Sequence, residues 1–301
     1  MKTILITGGT GLVGKHLQKL LLQKEYEVKI LSTNLEKVDS ETIFYWDPAT
    51  NAIDIAAFAN VDTIVHLAGA NIAEGRWTSE RKKLIVDSRV QTTHLIFNTL
   101  KKIPHQVKTI VSASATGYYG AITTEKKYHE EDAAESDFLG STCKQWENAV
   151  DDFNQARIRV VKLRTGIVLA NEGGIVRKLA FPVKCGLACS LGSGNQYMPW
   201  IHIDDLCNMY LKAIEDKHLQ GAYNAVAPSD ITNNEFTGAF ANSLHKPFFM
   251  PAVPAFFLKL LLGEMSAIVL TGSKVSSQKI SETGFTFKYA DITKAFNNLL
   301  N

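Results

Sequence analysis

The sequence predicts an α/β chain built on a doubly wound parallel sheet, with a smaller mixed C-terminal domain. Three observations predict it: short apolar runs alternate with stretches of helical spacing, glycines crowd the first turn, and the alternation gives way near residue 171. Ile4-Leu5-Ile6 is a buried-strand run, and Leu12, Val13, Leu17, Leu20 and Leu21 follow at helical spacing. Val28 to Leu31, Ile43 to Trp46 and Thr63 to Leu67 supply further strands, each short, apolar and bounded by polar residues. A long helix is expected from Thr78 to Lys101, ending before Pro104. A strand from Thr109 to Ser112, a helix from Ser136 to Asn154 and a strand from Ile158 to Leu163 complete this part.

Asn171-Glu172-Gly173-Gly174 marks the domain transition. Beyond it, Gly192-Ser193-Gly194-Asn195 reads as a turn, Asp204 to Ile214 as a helix opened by its acids, and Ala222 to Ala225 as a strand. Thr232 is an N-cap with Glu235 at capping-box spacing, and helices are expected around Glu235 to Leu244, Pro254 to Leu262 and Ile292 to Leu300. The expected division is residues 1–170, continued by about 200–226, as the sheet domain, and 171–199 with 227–301 as the smaller one.

Composition narrows the function classes. Apolar residues make up 46% and charged residues 21%, the balance of a packed globular protein rather than a disordered one. The 32 Lys and Arg against 30 Asp and Glu leave a formal charge of +2, and the pairs Lys82-Lys83 and Lys101-Lys102 are too short to form a basic face. Nucleic acid is not an expected partner. Cys143, Cys185, Cys189 and Cys207 lack the spacing of a zinc site, so no metal is expected and the thiols are read as reduced. Met1-Lys2-Thr3 runs straight into a strand, leaving no room for a signal peptide, and the apolar stretch from Pro254 to Leu262 is interrupted by Lys259 and too short to span a bilayer. A cytoplasmic protein without membrane contact is expected; its oligomeric state is not legible.

The turn Thr7-Gly8-Gly9-Thr10-Gly11-Leu12-Val13-Gly14 contains G-x-G-x-x-G between a strand and a helix. In that setting backbone N–H groups and the helix N-terminus face a pyrophosphate, the signature of a Rossmann dinucleotide site. The expected contacts are Gly8, Thr10, Gly11, Leu12, Val13 and Gly14. An acid at the end of the second strand would read a free ribose 2′-hydroxyl, but Ser32-Thr33-Asn34 stands there. Ser32 and Thr33 can donate to a 2′-phosphate, which favours NADP over NAD.

Further motifs occur in a telling order: His66-Leu67-Ala68-Gly69, Ser112-Ala113-Ser114, Tyr119-Gly120, Leu163-Arg164-Thr165-Gly166 and Trp200-Ile201-His202-Ile203-Asp204-Asp205. With the glycine turn they resemble extended short-chain dehydrogenases/reductases of the NAD-dependent epimerase/dehydratase family. Gly69-Ala70-Asn71-Ile72, Arg76-Trp77, Ser88-Arg89, Gly117-Tyr118-Tyr119-Gly120, Leu191-Gly192-Ser193-Gly194 and the tail at Gly284-Phe285-Thr286-Phe287 are similar to its atypical subfamily, the epimerase family proteins. The resemblance implies that Leu67, Ala68, Gly69 and Ser112 border the cofactor and that Arg89 contacts it from the helix beneath. It also places Arg164, Trp200 and His202 near the substrate side.

That resemblance makes a gap conspicuous. Most of these enzymes carry Tyr-x-x-x-Lys on the helix after the Ser strand, the ammonium lowering a phenol that ordinarily titrates near ~10. No tyrosine here has Lys four residues later; the register implied by Trp146-Glu147 puts Leu139 and Cys143 in those places. Ser114, facing the nicotinamide, and Tyr119 remain the candidate catalytic side chains. Lys144 lies about 100° around the helix from the Lys position, and Glu147 reads as a solvated or capping partner. His66 and His202 read as satisfied core imidazoles. Two functions stay open: an NADP-dependent oxidoreductase or epimerase with an altered proton relay, acting on a small carbonyl or sugar-nucleotide-like substrate, and a non-catalytic NADPH-binding sensor.

Overall fold

The computed structural model describes residues 2–300. β1 (Thr3–Thr7) leads through the glycine turn into α1 (Leu12–Gln23), followed by β2 (Glu27–Ser32), β3 (Ile43–Asp47), the short β4 (Ala52–Ile53) and β5 (Val61–His66). Then come α2 (Ser79–Leu100), β6 (Thr109–Ala115), the two-residue β7 (Lys127–Tyr128), α3 (Phe138–Asp151) and β8 (Arg159–Thr165). The chain continues through β9 (Ile167–Ala170), α4 (Gly174–Lys184), β10 (Trp200–His202), α5 (Ile203–Glu215) and β11 (Gly221–Ala225). It ends with α6 (Asn233–Ser243), α7 (Ala255–Leu262), α8 (Ala267–Leu270), β12 (Lys274–Val275), α9 (Gln278–Glu282) and α10 (Ile292–Leu300).

Eight strands form the central sheet in the order β11-β8-β6-β5-β1-β2-β3-β4. Every pairing in it is parallel except the β3–β4 hairpin. The strand order reverses at β1, which lies between β2 and β5, so the crevice for a ligand opens where Thr7 and His66 pair at the carboxyl ends. Side-chain alternation along β1 explains both faces: Ile4 and Ile6 join Leu17, Leu206 and Met209 in one core, while Leu5 joins Ile64, Ile96, Trp146 and Val150 in the other. A third core gathers Val176, Trp200, Phe236, Phe240 and Phe296. β10 straddles two of them, with Trp200 in the third core and Ile201 in the first.

The α/β class and the doubly wound sheet agree with the sequence pattern, and the boundaries differ for local reasons. Thr78 caps α2, its hydroxyl accepting from Arg81 N, and Asp137 caps α3 by accepting from Gly140 N. The helix expected from Asp204 starts one residue earlier, because His202 Nδ1 accepts the Asp204 N–H at 3.1 Å. Asp205 turns inward instead and accepts from Lys288 N and Tyr289 N, fastening the tail to α5. The Thr232–Glu235 capping box is present. α4 has no herald in the sequence, since Gly173 precedes it, Gly174 opens it and Pro182 lies within it. β12 pairs with β7, drawing the C-terminal segment across the sheet domain. Among the described residues, no helix is long and apolar enough to cross a membrane.

Candidate cofactor groove and adjoining cleft

The groove is built from the glycine turn upward. Gly8 has φ +69°, and a Cβ there would stand 2.9 Å from Leu67 C and O, so only glycine lets β1 and β5 approach at this point. A Cβ on Gly14 would fall 2.5 Å from Gly8 O and 2.6 Å from Gly9 Cα; this glycine seats α1 against the turn. Gly11 differs: its Cβ would meet only Gly8 O, at 3.2 Å, and the residue is exposed. Gln18 Nε2 donates to the carbonyls of Gly9 and Gly14 and locks the turn from below, a contact that sequence pattern does not announce. α1 has no side-chain cap and no acid in its first turn, whereas Thr78, Asp137, His202 and Thr232 cap α2, α3, α5 and α6. Its first N–H groups and positive dipole end therefore face the groove without a partner, which suits an anionic diphosphate.

The remaining predicted contacts are placed as follows. Thr10 is exposed at the tip of the turn, Val13 is half-buried, and Leu12 packs toward Gly173 and Gly174. Ser32 ends β2, with its Oγ accepting from Asn34 N at 3.1 Å and its own proton free to donate; Thr33 is exposed beside it. Leu67, Ala68 and Gly69 follow β5 along the groove, and a Cβ on Gly69 would stand 3.2 Å from Arg89 Cζ. Arg89 reaches up from α2, donates to Ile85 O at 2.8 Å and Ala70 O at 3.1 Å, and lies 5.2 Å over the Trp146 ring. Among the described residues no carboxylate pairs with it; Asp87 is taken by Lys83. Ser112 is fully buried and donates to Ala113 O, so its hydroxyl does not reach the groove.

His66 is the hub behind the crevice. Its Nδ1 lies 2.7 Å from Thr7 Oγ1, and its Nε2 lies 3.0 Å from Thr93 Oγ1. Thr93 already donates to Arg89 O, and Thr7 Oγ1 accepts from the N–H groups of Leu67 and Ala68. The consistent assignment is a neutral ring protonated on Nε2, and burial pushes its pKa down to about 4. His202 is likewise lowered to about 4 by burial, and its ring packs on Tyr289 at 3.8 Å. Because the unfolded chain takes up these protons first, the stabilisation is complete above pH ~6.5 and is lost as pH falls toward 4. Denaturant unfolding should show a loss of roughly 3 kcal/mol from His66 over that window and a smaller one from His202, where the nearby Asp204 carboxylate favours the charged ring. His66→Gln should flatten the decline, and a stability unchanged from pH 7 to 4.5 would contradict a buried neutral pair.

Beyond the carboxyl end of β6 lies a cleft of about 230 Å³, bordered by Thr116, Leu139, Thr165, Tyr197 and, from the C-terminal segment, Ile268 and Thr271. The expected catalytic side chains do not open into it as anticipated. Ser114, expected to face the nicotinamide, is buried and donates to Glu147 Oε1 at 2.7 Å. Tyr119 borders the cleft, but its hydroxyl donates to Asn224 Oδ1 at 2.7 Å, and burial raises its pKa. Glu147 is not solvated: Arg164 grips it with Nε to Oε1 at 2.8 Å and Nη2 to Oε2 at 3.0 Å. Arg164 also donates to Tyr119 OH and Glu130 O and stacks over the Tyr118 ring at 3.5 Å, so it braces the loop instead of lining the cleft. Trp200 and His202 are also buried away from it. Leu139 does stand at the cleft, Lys144 is exposed elsewhere, and burial pushes the Cys143 thiol up to about 12. Of the cleft threonines, Thr165 stands in the sequence within the Leu163–Gly166 motif, whereas Thr116 and Thr271 are isolated and carry no pattern; Thr165 donates to Leu163 O and Thr271 to Ala267 O. Among the described residues no cluster of side chains could hold a metal ion.

The sequence model of the NAD dependent epimerase/dehydratase family matches residues 4–225. The chain belongs to that family. A domain of unknown function, DUF1731, matches residues 253–299, the segment carrying α7 to α10. Over 301 residues the chain is 35% identical to epimerase family protein SAR0825 of Staphylococcus aureus, covering 100% of both. It superposes on the crystal structure of human epimerase family protein SDR39U1 with NADPH at a TM-score of 0.87 and 30% identity, covering 99% of this chain and 98% of that one. A nucleoside-diphosphate sugar epimerase from Corynebacterium glutamicum matches at 0.82 and 28%, with 99% of this chain on 58% of that one. The family member described here thus has the NAD(P)-binding Rossmann fold of epimerases and short-chain dehydrogenases/reductases, as its motifs implied.

Proposed function

We propose that this chain binds NADP(H) in the groove and uses it on a small carbonyl compound in the cleft, as an oxidoreductase or epimerase without a Tyr-x-x-x-Lys pair. The observation that carries the reading is the uncapped, acid-free start of α1 over the Gly8–Gly14 turn, beside a β2 end that offers Ser32 and Thr33 in place of a carboxylate. The human relative solved with NADPH supports the same choice. In this reading the N–H groups of Leu12 and Val13 hold the diphosphate and Ser32 and Thr33 the 2′-phosphate. Leu67, Ala68 and Gly69 guide the nicotinamide half, and Arg89 adds a cation beneath it. The bound dinucleotide supplies hydride chemistry. Thr116 offers a hydroxyl to a carbonyl, while Thr165 donates its proton to Leu163 O, and the reacting proton comes from water or substrate. Ser114 and Tyr119 act as positioning residues, holding the loop through Glu147 and Arg164. At about 230 Å³ the cleft lies below the roughly 300–1,000 Å³ of sites that enclose drug-sized ligands, which favours a small substrate over a nucleotide sugar.

Calorimetric titration tests the cofactor choice. NADPH should bind at least about tenfold tighter than NADH, and Ser32→Asp should reverse the preference by setting like charges against each other. Equal wild-type affinities would contradict the reading. A second reading, an NADPH-binding sensor, is supported by one feature: the cleft's ionisable side chains are Tyr119 and Tyr197, and both hydroxyls are engaged, the latter with Glu125. Tight NADPH binding without oxidation by any member of a panel of aldehydes, ketones and nucleotide sugars would favour it.

A further inference from the structure

α7 has an inverted face. Phe256, Phe257, Leu260 and Leu261 recur at i, i+1, i+4 and i+5, a single stripe of about 140°, and are 72%, 52%, 72% and 58% exposed. Only Leu258 of this helix is buried. The helix is nonetheless held in place. Arg76 donates to Leu261 O at 3.0 Å and Leu260 O at 2.8 Å, and Lys82 pairs with Glu264 in the turn beyond. Phe249, 74% exposed, and Met250 stand in the irregular segment that leads into the same helix.

We infer that this stripe is a self-complementary interface through which two copies of the chain pair, α7 against α7. Area argues for that occupant. Taking about 175 Å² for a whole large apolar side chain, the four helix residues expose roughly 450 Å², and Phe249 with Met250 bring this to about 650 Å². A patch of that size is at or above the largest on typical monomers, about 300–600 Å². Two such patches bury roughly 900–1,300 Å² in total, close to the lower bound of stable interfaces at about 1,200 Å². A two-fold pairing closes the patch on itself and leaves no open apolar end. A membrane surface fits less well, because helices that lie in a bilayer interface carry a polar face rich in Lys and Arg, and α7 offers Lys259 alone.

The test is sedimentation or light scattering of the full chain from about 1 to 100 µM, with and without NADPH. A concentration-dependent dimer is expected, and Phe256→Asp or Leu260→Asp should yield a monomer with the same melting temperature and NADPH affinity. Phe181→Asp, at another exposed aromatic, should leave the dimer intact. A wild-type chain that is monomeric at 100 µM, a dimer indifferent to the two α7 variants, or pelleting of the chain with anionic phospholipid vesicles through the same residues would each overturn the inference.

Discussion

Glu147→Gln should destabilise the protein by about 3–5 kcal/mol, the cost of removing one partner from a buried ion pair. The substitution keeps the volume but leaves Arg164, 3% exposed, without a countercharge, and weakens the acceptor for Ser114. Lys162, 3.6 Å from Glu147, keeps Asp151 as its partner but is itself a cation, so it adds to the uncompensated positive charge. Because Arg164 also holds Tyr119 and the carbonyl of Glu130, the loop beside the cleft should loosen with it. The melting temperature should fall by roughly 5–10 °C, given about 2–4 °C per kcal/mol for chains of about 150–250 residues and somewhat less for a longer one. The double variant Glu147→Leu with Arg164→Met should recover much of the loss, since it strands no charge. A single-variant effect below about 1 kcal/mol would mean that water reaches the pair.

Gly11→Val should weaken NADPH binding by more than about 100-fold in a protein that still folds. Gly11 has φ −76°, which a branched residue accepts, and its would-be Cβ touches only Gly8 O, so the added methyl groups project into the groove where a diphosphate would lie. Gly14→Val gives the opposite result. Its Cβ would overlap the backbone of Gly8 and Gly9, and folding itself should suffer. Calorimetric titration beside thermal unfolding separates the two, and unchanged NADPH affinity in folded Gly11→Val would place the dinucleotide elsewhere.

The sheet and the groove were legible because each depends on local, periodic signals. Ile4-Leu5-Ile6 ahead of the glycine turn defines a strand, a turn and a helix within twenty residues, and Ser32-Thr33 is read directly from the end of the next strand. The cleft was not legible in the same way. Ser114 turns to Glu147, 33 residues on, and Arg164 reaches Tyr119 across 45, pairings that only the order β11-β8-β6 brings together. A glutamate on a helix reads as solvated until the partner that buries it is known. His66 shows the reverse: an apolar strand context indicated a satisfied imidazole, and three threonines supply the satisfaction.

The most direct test of the account is a crystal structure of the complex with NADPH. The diphosphate should lie on the N–H groups of Leu12 and Val13, the 2′-phosphate against Ser32 and Thr33, and the nicotinamide at the mouth of the cleft, with Thr116 and Leu139 its neighbours. A dinucleotide bound away from the Gly8–Gly14 turn, or a Lys–Tyr pair or free carboxylate within about 3 Å of nicotinamide C4 or a carbonyl set against it, would contradict the account.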